Sequence, residues 1–354
     1  MALNLKPTLK RSLTRSLKHP TSHPSIHPFL TTVKVLFATL SIAAVAIFVS
    51  TEAVLAQDFP NKPIKFIVPF PPGSGTDTSA RYFGKKLTEL TGQPVIVDNR
   101  PGANGFIAVR TLLAAPADGY TVFVGSNSTL AVNVALFKKL PYDPQTDLTA
   151  LSMMMRAPAL VVVPANSPYK TLSDLISAAR AQPGKLNYAA GSAGYQLMAE
   201  SLNDSAKLDI HNVPFKGASE ALTAVVSGNV DMAFSDITAA YELVKGGKLR
   251  ALAVASDHRA PALPNVPHMA EAGMPGFSAS VWVGAMVSAK TPKAETEKLA
   301  TLLAQIERLP ETKEFYERIG AETMYGGADE MRRFQAAEIA LWKRIATQAK
   351  IEQE

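Results

Sequence analysis

Beyond residue 57 the chain alternates between short apolar runs and longer stretches in which apolar residues recur with helical spacing. The short runs are nearly continuous in apolar residues, which is typical of β-strands covered on both faces of a sheet. The longer stretches, such as DTSARYFGKKLTEL and TLSDLISAARAQ, predict amphipathic helices. We therefore expect an α/β architecture with mostly parallel sheets. The predicted strands are IKFIVPF, QPVIVDN, YTVFVGS, ALVVVPA, KLNYAAG, DIHNVPF, VDMAFSD and LRALAVAS.

Four loops that follow predicted strands are rich in Gly, Ser, Thr, Asn and Asp. In open α/β sheets, ligands bind outside the carboxyl ends of the strands, where the loops enter helices. We therefore predict a ligand site that draws on all four loops. They are PFPPGSGTD (69–77), GSNSTLAVN (125–133), AGSAGYQ (190–196) and SDIT (235–238).

The net charge of +6 belongs almost wholly to the first 56 of the 354 residues. That segment holds six Lys or Arg and one acid, whereas the remainder holds 30 basic and 29 acidic residues. A nearly neutral remainder offers no electrostatic footprint for nucleic acid, so we expect no nucleic-acid partner.

The first 56 residues have the parts of a secretory signal peptide. A basic start is followed by an uncharged apolar run (35–51), and Val54 and Ala56 stand where small residues precede a cleavage site. We predict cleavage after Ala56, with a retained membrane anchor as the alternative. The absence of Cys from the whole sequence suits an exported protein.

The first glycine-rich loop is not a nucleotide cradle. Gly73 and Gly75 are not followed by a third Gly in the dinucleotide-binding register, and no Lys-Ser/Thr pair follows as in a phosphate-binding loop. Two interpretations remain open from these residues. The exposed amides and the start of the next helix can hold an anion, or the loop is a tight strand-to-helix turn in which Asp77 begins the helix.

Residues for catalysis or metal binding are scarce in this sequence. His211, His258 and His268 are not spaced as a metal pair, and no nucleophile motif is present, so we expect neither a metal nor a cofactor. Asp77 and Asp236 are open to two interpretations. They can form an acid/base pair across a cleft, or they can cap helices and accept hydrogen bonds from a ligand.

Several segments, in order and along most of the chain after residue 57, resemble the Bug family. These are the substrate-binding proteins of tripartite tricarboxylate transporter systems. Each segment alone is modest evidence, whereas their number, order and spacing make the resemblance specific. The segments are PNKPIKFIVPFPPGSGTD, VDNRPGANG, PADGYTVFVGSNSTLAVNVALFKKLPYDP, PGKLNYAAGSAG, VPFKGASEALTAVVSGNVDMAFSD, GKLRALAVASDHRAPALPNVPHMAEAGMPGF and WVGAMVSAKTP.

The resemblance implies a two-domain periplasmic binding protein of type II, which closes like a Venus flytrap on a ligand between its domains. Domain 1 would be discontinuous, with residues 57–157 and 277–354, and domain 2 would span 158–276. Closure would bend the chain near Ala157 and residues 270–280. The implied ligand is a small organic carboxylate, held by main-chain amides, small hydroxyls and waters.

The resemblance also implies which residues bind the ligand. Asp77 and Asp236 would select a hydroxyl or ammonium group on it, because they repel a carboxylate. The implied residues are Phe70, Pro71, Gly73, Ser74, Gly75, Thr76 and Asp77 in the first loop, Ser126 and Asn127 after the third strand, Ser192, Ala193, Gly194 and Gln196 in the second loop, and Asp236.

Two departures from the family pattern bear on the choice of ligand. Ser74 stands where the family commonly has Gly, and the second loop is about one residue shorter, with Gln196 near the usual His. The identity of the acid therefore cannot be copied from relatives. The implied protein is a periplasmic monomer that delivers its ligand to membrane transporter subunits. The alternatives are a partner that presents the ligand to a sensor kinase and an enzyme that uses Asp77 and Asp236.

Overall fold

The structure is a computed structural model, and it describes residues 59–349, 351 and 353. The predicted signal peptide lies outside the described residues. The strands are β1 (Ile64–Val68), β2 (Val95–Asn99), β3 (Thr121–Ser126), β4 (Leu148–Pro164), β5 (Asn187–Ala190), β6 (His211–Pro214), β7 (Met232–Asp236), β8 (Leu249–Val254), β9 (Ser280–Ser288) and β10 (Glu322–Thr323). The helices are α1 (Gly75–Thr91), α2 (Phe106–Ala114), α3 (Asn133–Leu136), α4 (Leu172–Ala181), α5 (Ala193–Ala206), α6 (Ala218–Val226), α7 (Ile237–Lys245), α8 (Lys293–Glu307), α9 (Pro310–Arg318) and α10 (Ala328–Gln348). In the part of the chain described, no helix combines the length and apolar character needed to cross a bilayer.

The strands form a continuous path in the order β2-β1-β3-β9-β4-β7-β5-β6, with β8 and β10 also paired to β4. At the two ends of this path the strands are parallel, since β1 pairs with β2 and β3, and β5 pairs with β6 and β7. In the middle, the pairings of β4 and β9 are antiparallel. The expectation of mostly parallel sheets is therefore wrong for the middle of the path. Strand β4 leads the chain away from β1–β3, and β9 leads it back beside β3 in the opposite direction.

Strand β4 changes partners in its middle. Its first part pairs with β9 as far as Pro158, which lies opposite Ser280. From Ala159 onward it pairs with β7 and β8 instead. At the change, the Ala159 amide donates to the Ala279 carbonyl at 3.0 Å, and the Ala255 amide donates to the Ala159 carbonyl at 2.7 Å. The chain thus passes between two parts of the molecule twice, near Ala159 and near Ala279, and these two crossings lie side by side.

We call these two parts lobe 1 and lobe 2. Lobe 1 contains the elements before the change in β4 and those from β9 onward, and lobe 2 contains the elements between them. In lobe 1, helix α1 buries Ala80, Phe83 and Leu87, whose spacing places them on one face. Burying a large apolar side chain contributes about 1.5–3 kcal/mol. This packing fixes the axis of α1 and hence the position of its first turn.

Candidate ligand-binding site

Helix α1 begins in the first glycine-rich loop, directly after the buried strand β1. Ser74 is its N-cap, and the Ser74 hydroxyl oxygen accepts a hydrogen bond from the Asp77 amide at 3.2 Å. The Gly75 and Thr76 amides come before this capped amide in the first turn, where a helix has no internal acceptor for them. The loop therefore presents free amide donors at the positive end of a helix dipole, which suits an anion.

Asp77 stabilises this turn from within. Its carboxylate accepts hydrogen bonds from the Gly73 amide at 3.0 Å, from Arg81 Nε at 3.0 Å and from Asn99 Nδ2 at 2.9 Å. These contacts hold Gly73 in its left-handed conformation at φ +83°, which favours glycine. The side chain of Asp77 is thus committed to the turn.

A second group of polar residues follows β3, where the chain enters a π-helical turn at Ser128–Val132. Ser126 and Asn127 are almost fully buried. The Ser126 hydroxyl oxygen accepts from the Ser128 amide at 3.3 Å, and Asn127 Nδ2 donates to the Ser280 carbonyl at 3.4 Å. Asn127 is thereby tied to the start of the strand that returns from lobe 2.

Lobe 2 contributes three helix N-termini. Ser192 caps α5 and accepts from the Tyr195 amide at 3.5 Å, while Asp236 caps α7 and accepts from the Ala239 amide at 3.0 Å. Helix α6 begins after Gly217, which makes no side-chain cap. Each start follows a strand of the lobe 2 sheet, as expected for the carboxyl edge of a parallel sheet.

These elements enclose a narrow cavity between the lobes. The cavity measures about 10 Å³, and a groove of about 370 Å³ adjoins it. Phe70 and Ser192 line both spaces, so they lie where the cavity meets the groove. The cavity is lined by Phe70, Ser74, Gly75, Thr76, Ser126, Asn127, Ser128, Ser192, Tyr195, Ala218, Asp236 and Val281. The groove is lined by Phe70, Gly102, Ala103, Asn104, Gly105, Gly191, Ser192, Pro214, Phe215, Lys216 and Glu220.

Direct hydrogen bonds join the lobes around the cavity. The Ser128 hydroxyl donates to Ser192 Oγ at 3.0 Å and accepts from the Gly194 amide at 3.1 Å. A further bond reaches the loop after β1, where the Ser219 hydroxyl donates to the Pro72 carbonyl at 3.1 Å. These bonds hold the two lobes in direct contact around the cavity.

Glycines allow the lobes to approach this closely. A Cβ atom on Gly75 in lobe 1 would lie 2.7 Å from Asp236 Oδ1 and 2.5 Å from Thr238 Oγ1 in lobe 2. A Cβ atom on Gly217 in lobe 2 would lie 2.9 Å from Cγ of Pro71 and closer still to its Cδ. These distances are all shorter than ordinary van der Waals contact, so side chains at these positions are incompatible with this contact between the lobes.

Asp236 is a buried carboxylate whose hydrogen bonds come from neutral groups. It accepts from the Tyr195 hydroxyl at 2.5 Å and also from the Thr238 hydroxyl. Burial raises the pKa of Tyr195 well above its usual value near 10, and the adjacent carboxylate raises it further, so the phenol remains a donor. Among the described residues no cation pairs with Asp236, and no group of His, Asp or Glu is arranged to hold a metal.

The structure brings together most of the residues named from the sequence. Pro71 lies against Gly217, Gly194 contacts Ser128, and Ala193 begins α5 beside the cavity. Asp77 and Gln196 do not line the cavity or the groove. The named residues that line the cavity are Phe70, Ser74, Gly75, Thr76, Ser126, Asn127, Ser192 and Asp236.

Sequence reasoning did not name several residues that line the cavity. Ser128 and Tyr195 lie inside two of the loops that the sequence predicts to bind ligand. The sequence pattern favours the residues beside them in these loops and does not indicate these two. Tyr195 follows the capped start of α5, so its hydroxyl reaches Asp236 only through a contact between distant segments. Ala218 and Val281 carry no chemical signal that a sequence motif could reveal.

Comparisons with known proteins agree with this architecture. The family model of the tripartite tricarboxylate transporter family receptor, TctC, matches residues 79–351. Protein BugT of Bordetella pertussis is 35% identical over 312 residues, which cover 85% of this chain and 94% of BugT.

Two solved structures are similar over most of the chain. An R. palustris protein solved with adipate is 33% identical with a TM-score of 0.81, covering 84% of this chain and 100% of the other. MatC from Rhodopseudomonas palustris, with bound malate, is 31% identical with a TM-score of 0.77, covering 81% and 99%. The resemblance drawn from the sequence motifs and the binding-protein fold it implied are therefore confirmed, and this chain belongs to the tripartite tricarboxylate transporter receptor family that includes the Bug proteins.

Proposed function

We propose that this protein captures a small organic carboxylate between its lobes and delivers it to the membrane subunits of a tripartite tricarboxylate transporter. The observation that carries the proposal is the convergence of the N-termini of α1, α5, α6 and α7 on one buried cavity. A helix start stabilises a nearby anion by about 0.3–1 kcal/mol, and more when partly buried. The starts of α1, α5 and α6 act on the ligand in this way, whereas the start of α7 is already capped by the Asp236 carboxylate. The solved relatives with bound adipate and malate support a carboxylate as that anion.

The two lobes act as the two domains of a flytrap in this proposal. Residues 57–157 and 277–354 form domain 1, and residues 158–276 form domain 2. The change of partners in β4 at Pro158 and Ala159 supports the first boundary. The bond between Ala159 and Ala279 supports a second crossing close to the other boundary. Rotation about these adjacent crossings is the hinge motion expected of the fold.

Binding proceeds in two steps in this account. A carboxylate first docks on the free amides of Gly75 and Thr76 in lobe 1. Lobe 2 then closes, bringing Ser192 and Asp236 to the ligand and forming the bonds from Ser128. A ligand drives this closure only through its higher affinity for the closed form. Closure also creates the surface by which a membrane partner distinguishes the loaded protein.

The arrangement favours binding over catalysis. Amide donors at helix starts hold an anion without burying a Lys or Arg that would need its own partner. An acid/base pair of Asp77 and Asp236 is not supported, because Asp77 oxygens are occupied by Gly73, Arg81 and Asn99. The protein therefore releases its ligand chemically unchanged.

Export to the periplasm completes the proposal. Residues 1–56 act as a signal peptide that is cleaved after Ala56, and the mature protein acts as a monomer. Mass spectrometry of the exported protein is expected to show a mature chain that begins at Gln57. A chain that retains the apolar run at 35–51 would contradict cleavage and would favour an anchored form.

A thermal-shift screen tests the binding function. A ligand at a hundredfold excess over its Kd stabilises the folded form by about 2.7 kcal/mol, so at least one carboxylate should raise the Tm by several degrees. The screen should include adipate and malate, with adipamide as a neutral control of matched shape. A panel of carboxylates that leaves the Tm unchanged, or an equal shift with adipamide, would contradict the proposal.

A further inference from the structure

Asn127 is a residue of the cavity whose side chain leaves one polar atom without a hydrogen bond among the described residues. The residue is 1% exposed and lines the cavity. Its Nδ2 donates to the Ser280 carbonyl, whereas its Oδ1 has no hydrogen-bond partner among the described residues. Buried polar atoms in folded proteins are nearly always paired, so an unpaired one in a ligand cavity indicates a partner that the ligand supplies.

The orientation of the Asn127 amide follows from its neighbour. The oxygen and nitrogen of an Asn side chain are assigned from the hydrogen-bond network around them. A carbonyl oxygen only accepts, so the atom of Asn127 that faces the Ser280 carbonyl is the nitrogen. The unpaired atom is therefore the Oδ1 acceptor, and a hydrogen-bond donor would satisfy it.

Asp236 adds a second acceptor to the same cavity. One of its oxygens accepts from Tyr195 and the other from Thr238 and the Ala239 amide. A carboxylate oxygen has two lone pairs, so the oxygen bound by Tyr195 retains acceptor capacity. The helix starts supply donors, while Asn127 and Asp236 supply acceptors. An anion that carries no donor of its own binds the donors, but it leaves Asn127 Oδ1 unpaired and adds no hydrogen bond to Asp236.

We propose that the ligand is a carboxylic acid with a hydroxyl or ammonium group on the carbon next to its carboxylate, and that Asn127 selects for that group. This inference rests on the proposed function, since it assumes that the helix starts hold the carboxylate. A donor on the carbon next to the carboxylate reaches Asn127 while the helix starts hold the carboxylate. The cavity of about 10 Å³ has room for about one water, so the lobes stand slightly further apart when this end of the acid is bound. The remainder of the acid extends into the groove past Phe70 and Ser192.

A trapped water is the competing partner for Asn127. A cavity of about 10 Å³ is close to the smallest space that holds one water. If water fills this role with every ligand, the protein gains nothing from a donor on the acid. The two cases therefore differ in whether otherwise identical acids are discriminated.

Isothermal titration calorimetry with matched acids tests the proposal. Each set contains a 2-hydroxy acid, a 2-amino acid and the plain acid of the same length: lactate, alanine and propionate; malate, aspartate and succinate; 2-hydroxyglutarate, glutamate and glutarate; 2-hydroxyadipate, 2-aminoadipate and adipate. In the set whose length fits, a donor-bearing acid is expected to bind wild-type protein at least tenfold more tightly than the plain acid. Whether the hydroxy or the amino acid binds better identifies the donor.

The variant Asn127→Leu removes the acceptor, together with the donor to Ser280, and keeps the same number and branching of side-chain heavy atoms. The donor-bearing acid is expected to lose its advantage in this variant, to within about twofold of the plain acid. The matched control is Asn229→Leu, an exposed residue outside the cavity, which should retain the discrimination. The wild-type comparison tests the proposal even where Asn127→Leu does not fold.

The outcomes separate this inference from the function on which it rests. Equal affinities of wild-type protein for the plain and the donor-bearing acids would overturn the selection by Asn127 and leave the carboxylate-binding function standing. Discrimination that persists in Asn127→Leu would also overturn the role of Asn127. A lack of binding by every acid in the four sets would overturn both.

Discussion

Replacing Gly217 with alanine adds a single methyl group where lobe 2 meets the first loop of lobe 1. Gly217 has φ −175°, an extended conformation that alanine adopts without strain, so the change leaves lobe 2 itself undisturbed. The new Cβ would lie 2.9 Å from Cγ of Pro71 and nearer to its Cδ. Carbon atoms in contact are about 3.5–4.0 Å apart, so Pro71 must withdraw by at least about 0.6 Å.

The clash exists only when the lobes are closed. It therefore raises the free energy of the closed form alone and weakens ligand binding. Overpacking of this kind costs about 1–3 kcal/mol. Because the open form escapes the clash, the whole cost falls on the closed form and weakens ligand binding by about 5- to 150-fold. Because the free protein is open in this account, the Tm of the ligand-free variant should remain close to that of the wild type.

Calorimetric titration with the carboxylate that most raises the wild-type Tm measures this loss. Small-angle X-ray scattering should show a smaller compaction of Gly217→Ala on adding ligand. The matched control is Gly327→Ala, since a Cβ on Gly327 meets nothing within 4 Å and its φ is −74°. Unchanged affinity in Gly217→Ala would refute the claim that ligand is held by closure of lobe 2 onto the first loop.

Three further substitutions test neighbouring parts of the account. Gly75→Val should abolish binding while the variant stays folded by circular dichroism, since its Cβ meets Asp236; retained binding would remove the loop from the site. Asp77→Asn should lower the free energy of unfolding by about 1–3 kcal/mol and weaken all acids alike, because the carboxylate holds the turn; an altered ranking of acids would contradict that role. Burial raises the pKa of Glu307 from 4.5 to about 7, so the folded form binds the extra proton and stability falls by up to about 3 kcal/mol as pH rises from 4.5 to 7. Glu307→Gln should flatten this decline in urea titrations at pH 5 and pH 8, whereas an unchanged slope would place its origin elsewhere.

The elements that the sequence predicted well are those set by local pattern. The apolar runs that predicted β1, β3 and β7 are largely buried, and the stretch DTSARYFGKKLTEL lies within α1. The helix begins at Gly75 and not at Asp77. Such signals lie within a few residues of the feature they specify. The sequence pattern within each segment was therefore enough to predict the loops that contribute to the cavity.

Features that depend on contacts between distant segments could not be predicted from the sequence pattern within one segment. Pro158 falls in the middle of β4, and a proline usually argues against a central strand, so the 17-residue strand that serves both lobes was predicted only as its last part. Pro158 is tolerated because β4 exchanges its partners at this residue. The role of Asp77 was ambiguous for a similar reason, since Asn99, one of its partners, lies on a neighbouring strand.

A crystal structure of the protein with its tightest-binding carboxylate tests the central claim most directly. The account predicts one carboxylate between the lobes, with its oxygens within about 3 Å of the Gly75 and Thr76 amides and with Ser192 on its opposite side. A carboxylate bound outside the cleft, or one held in the cleft by Lys216 with no contact to the start of α1, would contradict it.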